Sequence, residues 1–173
     1  MPKSGTSKSL TGKEVEYLKT VFKLLPGRDM VGSLEVADAM GVSCATASEY
    51  LERLEEKGML KRYRWRGVIL SRKGMKEVNR IIRNHRVFET YAYRVLSVSL
   101  EDACECASRI ELHIPDKIVD SMCSILGHPK TCPHNNVIPG GSRVVEFENY
   151  NYNPIIHSSS QHAFIWSLYS TIW

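Results

Sequence analysis

Apolar residues recur at helical spacing from the start of the chain. Val15, Leu18, Val21, Phe22 and Leu25 line one face of a helix over residues 10–25. Thr11 stands three positions before Glu14, a capping-box spacing, and Pro26-Gly27 stops the pattern. Leu34, Val36, Ala37 and Met40 predict a short helix N-capped by Ser33 and ended by Gly41. Ala47, Tyr50, Leu51 and Leu54 predict the next helix, roughly 44–57, capped by Ser43 and closed by Gly58. Two short helices across a glycine-containing turn have the spacing of a helix-turn-helix. Residues 60–64 and 67–71 then read as two short strands, joined through Trp65-Arg66-Gly67. A basic hairpin placed directly after a helix-turn-helix is a wing, so a winged-helix domain is expected over roughly residues 10–75.

The pattern lengthens after the hairpin. Residues 72–96 predict one long helix, basic in front and apolar and aromatic behind, a natural dimer or interdomain element. Ser99 N-caps another helix with Glu101 and Asp102 in its first turn, where acids suit the helix dipole. It runs to about Ile114. Pro115 opens a further helix as its first residue, running to about Leu126. Residues 127–142 are a loop rich in Pro, Gly, Asn and His. Val144–Tyr152 alternates like a strand, and residues 162–173 are apolar and aromatic, a helix or a strand. The expected class is mainly α: a winged helix-turn-helix domain over 1–75, a helical domain over 76–140, and a short C-terminal aromatic segment over 141–173.

Charge changes this picture more than composition does. The chain is 43% hydrophobic and 24% charged, ordinary for a globular protein of 173 residues. Its net charge of +4 is unevenly spread: residues 57–86 hold eleven Lys or Arg against one acid, Glu77. A basic block on an otherwise acidic chain points to a polyanion partner, and beside a helix-turn-helix to double-stranded DNA. No run of 18 apolar residues offers a membrane span, and the basic, polar N-terminus is no secretory signal. A cytoplasmic protein with no membrane partner is expected. Five cysteines, an odd number, argue against a disulfide framework.

The second helix of a helix-turn-helix meets base edges with its N-terminal residues. Those are Ser43, Ala45, Thr46, Ser48 and Glu49. None is an arginine suited to bidentate reading of guanine. Much of the affinity is therefore expected from phosphate contacts by Lys61, Arg62, Arg64 and Arg66 on the wing.

Several helix faces gather metal-binding side chains. His85 and Glu89 are four apart, and Cys104, Ser108 and Glu111 fall at i, i+4 and i+7. Glu16 lies beside the apolar stripe of the first helix. Imidazole, carboxylate and thiolate together suit a divalent transition metal, and the soft thiolate leans to iron, zinc, cobalt or nickel over manganese or magnesium. The same spacing also describes an ordinary helix-surface pair. Separately, Cys106, His113, Cys123, His128, Cys132 and His134 are candidates for a structural zinc site, although no paired CxxC supports it. Cys106 and Cys123 read equally as small buried apolar residues.

Residues 10–140 resemble the diphtheria-toxin-repressor family of iron- and manganese-dependent transcription regulators. The resemblance lies in EYLKTVFKL at 16–24, the helix-turn-helix at 33–57 and RNHRVFETY at 83–91. It continues through EDACECASRIELHIP at 101–115 and CPHNNVIPG at 132–140. It implies two neighbouring metal sites per subunit. An ancillary site maps onto His85, Glu89 and Cys104; a second maps onto Glu16, Ser108, Glu111 and Leu112. Leu112 cannot bind a metal and Ser108 binds weakly, so the second site is depleted, or rebuilt with His113 or Glu101. Glu146, Glu148 and His157 are further C-terminal candidates, but residues 141–173 are too short for the SH3-like barrel of many members.

The function implied is that of a homodimeric, Fe²⁺-dependent transcriptional repressor controlling metal homeostasis, with Zn²⁺, Ni²⁺, Co²⁺ or Mn²⁺ as substitutes in vitro. The metal would fix the separation of two recognition helices. The alternative is a constitutive winged-helix regulator holding structural zinc. An enzyme is not expected, because no nucleophile–base pair is visible.

Overall fold

The structure, a computed structural model, describes residues 9–140. The expected strand over 144–152, the segment over 162–173 and candidates Glu146, Glu148 and His157 lie outside the described residues. The chain divides after Val78 into two compact units. The architecture is mainly helical. Among the described residues no helix is long and apolar enough to cross a membrane.

The N-terminal unit contains α1 (Gly12–Leu24), α2 (Ser33–Met40), α3 (Cys44–Glu56), the strands β1 (Leu60–Tyr63) and β2 (Gly67–Leu70), and the start of α4 (Arg72–Arg94). The three helices pack on one another, burying Val15, Leu18, Val21, Val36, Ala47, Leu51 and Leu54. This is the apolar periodicity of the sequence turned inward. Thr11 caps α1 through the expected reciprocal box with Glu14. Ser43 caps α3 by accepting from the Thr46 N–H at 3.1 Å. The cap of α2 differs from expectation. Gly32 is the boundary residue and Ser33 the first helical one, because the Glu35 carboxylate reaches back to accept the Gly32 N–H at 2.8 Å.

The two strands pair antiparallel, Leu60 opposite Leu70 and Tyr63 opposite Gly67. Val31 extends the hairpin by exchanging backbone hydrogen bonds with Val68 at 3.0 and 2.8 Å. Two glycines permit close backbone approaches. A Cβ on Gly67 would overlap the Val31 carbonyl, and one on Gly74 the Met59 carbonyl. Ser71 joins the hairpin to α4: its N–H donates to Met59 O at 2.9 Å, its hydroxyl donates to Gly58 O at 2.6 Å, and it accepts from the Gly74 N–H at 2.9 Å.

A largely buried ion pair ties the start of α1 to the end of α3. Lys57 Nζ donates to Glu14 Oε2 at 2.5 Å and to Ser9 O at 2.9 Å. Burial pushes the Glu14 carboxyl upward, but hydrogen bonds from Lys57 and Thr11 outweigh it and hold the group below its ordinary value.

The C-terminal unit takes the rest of α4, α5 (Leu100–Ile110), α6 (Asp116–Ile125) and the segment to Gly140. Ser99 caps α5 as expected. α5 ends at Ile110 rather than about Ile114, and residues 111–113 form a turn. Pro115 is the N-cap of α6, not its first helical residue. The core of this unit joins Val87 of α4, Val119 and Cys123 of α6, and Cys132 and Ile138 of the following segment. Cys123 is thus a small buried apolar residue, whereas Cys106 is exposed.

Two stability outcomes follow. Gly74→Ala is expected to cost about 3 kcal/mol by forcing α4 away from the hairpin, read as a lower midpoint in urea unfolding. Lys57→Met should cost about 2–3 kcal/mol by leaving the buried Glu14 carboxylate unpaired. Because the native Glu14 value is lowered, the pair stabilises the wild type above the unfolded carboxylate's pKa. That contribution fades as pH falls through the native value, so the gap between wild type and Lys57→Met should narrow in acid.

Candidate metal centre and nucleic-acid interface

The C-terminal unit carries two groups of metal-ligating side chains, and Glu89 belongs to both. The first is His85, Glu89 and Cys104, whose ligand atoms lie within 4.8 Å of one another. His85 and Glu89 project from one face of α4, and Cys104 comes from α5. His85 Nε2 lies 3.6 Å from Cys104 Sγ, and His85 Nδ1 lies 2.9 Å from Glu111 Oε2. Glu111 is therefore placed to orient the imidazole and leave Nε2 pointing at the thiol. Carboxylates commonly hold metal-binding histidines this way. The turn bearing Glu111 is fixed in place, since Asn84 Nδ2 donates to its carbonyl at 3.1 Å.

The second group is Glu89, Cys132 and His134, within the same 4.8 Å limit. A small hairpin presents the latter two. Cys132 N–H donates to Asn136 O at 2.9 Å, Asn135 N–H donates to Cys132 O at 2.8 Å, and Thr131 bridges Val137. The Arg86 guanidinium, on α4, donates to Val137 O and holds this hairpin against the helix. Burial pushes the Cys132 thiol above its ordinary value, and the Glu89 carboxylate adds to that, against backbone hydrogen bonds from residues 136 and 134.

Glu89 itself is only 1% exposed. The His134 Nδ1 comes up against its Oε1, and the Cys132 thiol lies beside the same carboxylate. A carboxylate buried this deeply is costly unless positive charge compensates it. A cation among imidazole, thiolate and carboxylate donors satisfies it, so these residues fit a divalent transition metal. Sequence reasoning kept Cys132 and His134 apart from Glu89. The available signal was the CPH triplet, which offers two ligands within one turn.

The remaining candidates sit elsewhere. Ser108 Oγ donates to the Cys104 carbonyl at 3.1 Å, and Glu101 is exposed in the first turn of α5. Leu112 offers its carbonyl to Arg80 at 3.5 Å, and His113 is exposed. Glu16 belongs to the N-terminal unit, where it pairs with Lys13 at 2.7 Å. Of the zinc candidates, Cys123 Sγ and His128 Nδ1 lie 3.5 Å apart. Among the described residues, Cys106, His113, Cys123 and His128 join no group of three ligands.

In the N-terminal unit, α2 and α3 form the helix-turn-helix and β1–β2 the wing. Ser43, Ala45 and Glu49 are exposed on α3, with Thr46 and Ser48 half-buried. Ser43 and Thr46 hydroxyls lie 2.9 Å apart, and Glu49 pairs with Arg53 at 2.5 Å. Arg62 is turned back onto α3, donating to Ser48 O at 2.9 Å with Glu55 Oε2 3.7 Å away. Lys61, Arg64 and Arg66 are exposed, and the Arg64 guanidinium stands 5.6 Å from the Trp65 ring.

The comparisons with known proteins match both units. Residues 9–68 match the N-terminal DNA binding domain of the iron dependent repressor, and residues 71–140 its metal binding and dimerisation domain. The chain is 28% identical over 106 residues to the transcriptional regulator MntR of Escherichia coli, across 61% of this chain and 68% of that protein. It is 27% identical over 124 residues to the iron-dependent repressor IdeR of Mycobacterium tuberculosis, across 72% of this chain and 54% of the relative, so it spans about half of IdeR. Among solved structures, a hypothetical protein of Sulfolobus solfataricus superposes with a TM-score of 0.66 at 28% identity, covering 75% of this chain and 99% of that one. ScaR with bound Zn²⁺ gives a TM-score of 0.64 at 28% identity, over 74% and 60% of the two chains. With a helix-turn-helix and wing in one unit, ligand groups in the other, and family matches across both, the chain belongs to the iron-dependent repressor family of metal-dependent transcriptional regulators.

Proposed function

We propose that this protein is an Fe²⁺-dependent, homodimeric repressor that binds double-stranded operator DNA and controls metal homeostasis. The observation that carries the reading is the fully buried Glu89 carboxylate, shared by two groups of potential metal ligands. His85 and Cys104 on one side, Cys132 and His134 on the other, would hold metal with Glu89 common to both. The ion would supply the positive charge that makes a buried carboxylate beside thiolates tolerable. Glu111 positions His85, and Arg86 positions the Cys132 hairpin.

Metal preference follows from the donors. MntR is a relative, but two sulfur donors in the set favour Fe²⁺ over Mn²⁺, and a nitrogen- and sulfur-bearing site also binds Fe²⁺ more tightly in the general order of divalent ions. On the DNA side, the exposed Ser43, Ala45 and Glu49 together with Thr46 and Ser48 would face bases, and Lys61, Arg64 and Arg66 phosphates. Metal and DNA would then raise each other's affinity by the same factor.

A second reading has its own support. Cys132 is both a potential ligand and a member of the apolar core, as a structural zinc ligand would be. A constitutive regulator with structural zinc is distinguished by two substitutions. His85→Ala should abolish Fe²⁺-dependent DNA binding in anaerobic gel shifts under the Fe²⁺ reading, and leave DNA binding intact under the zinc reading. Cys132→Ala should unfold the C-terminal unit only under the zinc reading. Equal DNA affinity with Fe²⁺ and with chelator would remove metal control altogether.

Glu111→Gln tests the positioning role. Fe²⁺ affinity, measured by competition with a chelating dye, is expected to fall about 10–100-fold while the circular dichroism spectrum is unchanged.

A further inference from the structure

Trp65 is 92% exposed at the tip of the wing, while Leu60, Val68 and Ile69 of the same hairpin are buried. The indole therefore contributes nothing to the core of its unit. Its backbone is also in an uncommon conformation. Arg66 N–H donates to Tyr63 O at 3.0 Å, closing a tight turn in which Trp65 occupies the third position at φ 64°. Such a position favours glycine or asparagine, and a bulky side chain there is held against its own steric preference. A bulky residue held in the left-handed region stores strain of the kind found where stability yields to binding.

The surroundings name the partner. Arg64 and Arg66 flank the indole in sequence, Arg64 has its guanidinium 5.6 Å from the ring, and Lys61 is exposed on the adjoining strand. An aromatic wedge ringed by cations matches a nucleic-acid duplex: phosphates for the cations, and a base step or sugar edge for the ring. We propose that Trp65 enters the minor groove of the bound duplex as a wedge, partly unstacking one base step, while Arg64 and Arg66 hold the bordering phosphates. The proposal rests on the reading of this unit as a DNA-binding domain. It adds a source of sequence preference that α3 lacks, because a wedge selects steps that unstack easily.

The test uses full-length protein with Fe²⁺ under anaerobic conditions. The probes are 30-base-pair duplexes recovered by the wild type from a random-sequence pool, carrying 2-aminopurine at successive steps outside the major-groove contact. Wild-type binding should raise 2-aminopurine fluorescence at one step. Trp65→Gly should lose that signal and bind about tenfold more weakly, with the same dependence on salt and an unchanged or higher Tm. Arg64→Ala and Arg66→Ala should each lower the salt slope by about one. Trp65→Gly binding as tightly as wild type overturns the wedge alone. A wild type that binds no duplex overturns the DNA-binding reading with it. If Trp65→Gly instead lowers the sedimentation coefficient of the free protein, the indole belongs to a contact between copies of the chain and the proposal fails.

Discussion

Glu89 brings a carboxylate out of water where α4, α5 and the hairpin after α6 converge, and each of those elements brings up to it a side chain able to bind a metal. α4 gives His85 one turn away, α5 gives Cys104, and the hairpin gives Cys132 and His134. Burying an ionised carboxylate without partners would be prohibitive, so its environment constrains the unit. The Glu111 carboxylate bonds to His85 and the Arg86 guanidinium to the Val137 carbonyl, which hold the imidazole and the hairpin in place beside Glu89. Polar groups so connected have all to be satisfied together or the cluster is a liability.

The N-terminal unit is built on different terms. Its helices close around an apolar core, and the largely buried Lys57–Glu14 pair ties the start of α1 to the end of α3. Ser71 locks the hairpin to the first turn of α4 through three hydrogen bonds. The result is a firm presentation of α3 and the wing, with Ser43 and Ala45 exposed at the start of the helix and Lys61, Arg64, Trp65 and Arg66 exposed on the hairpin.

Much of this was legible in the chain because it is local. The Thr11–Glu14 box, the Ser43 and Ser99 caps, and the apolar stripes of α1 and α3 are set by neighbours within a turn or two. The His85–Glu89 pair is legible for the same reason. The misjudged boundaries also have local causes. Glu35 selects Gly32 rather than Ser33 as the cap of α2, and Pro115 sits one position earlier than expected. What stayed hidden is tertiary. Nothing in the spacing of Cys132 and His134 shows that their hairpin folds back onto Glu89. That depends on Arg86 meeting Val137 and on Ile138 entering the core with Val87, contacts about fifty residues apart in sequence. The role of Glu111 is hidden likewise: helical spacing groups it with Cys104 and Ser108, but α5 ends before it and its carboxylate turns to His85.

The wing's base tolerates almost no change. Gly67 has the Val31 carbonyl where a side chain would be, and Val68 is pinned to Val31 by two backbone bonds. A one-residue slip between the strands would exchange the faces on which Val68 and Ile69 are buried. The three residues of the bend between them, 64 to 66, are all exposed and can change in size and chemistry without disturbing the core of the unit. A lineage adapting such a regulator to new promoters thus has a small, mechanically insulated place in which to do it.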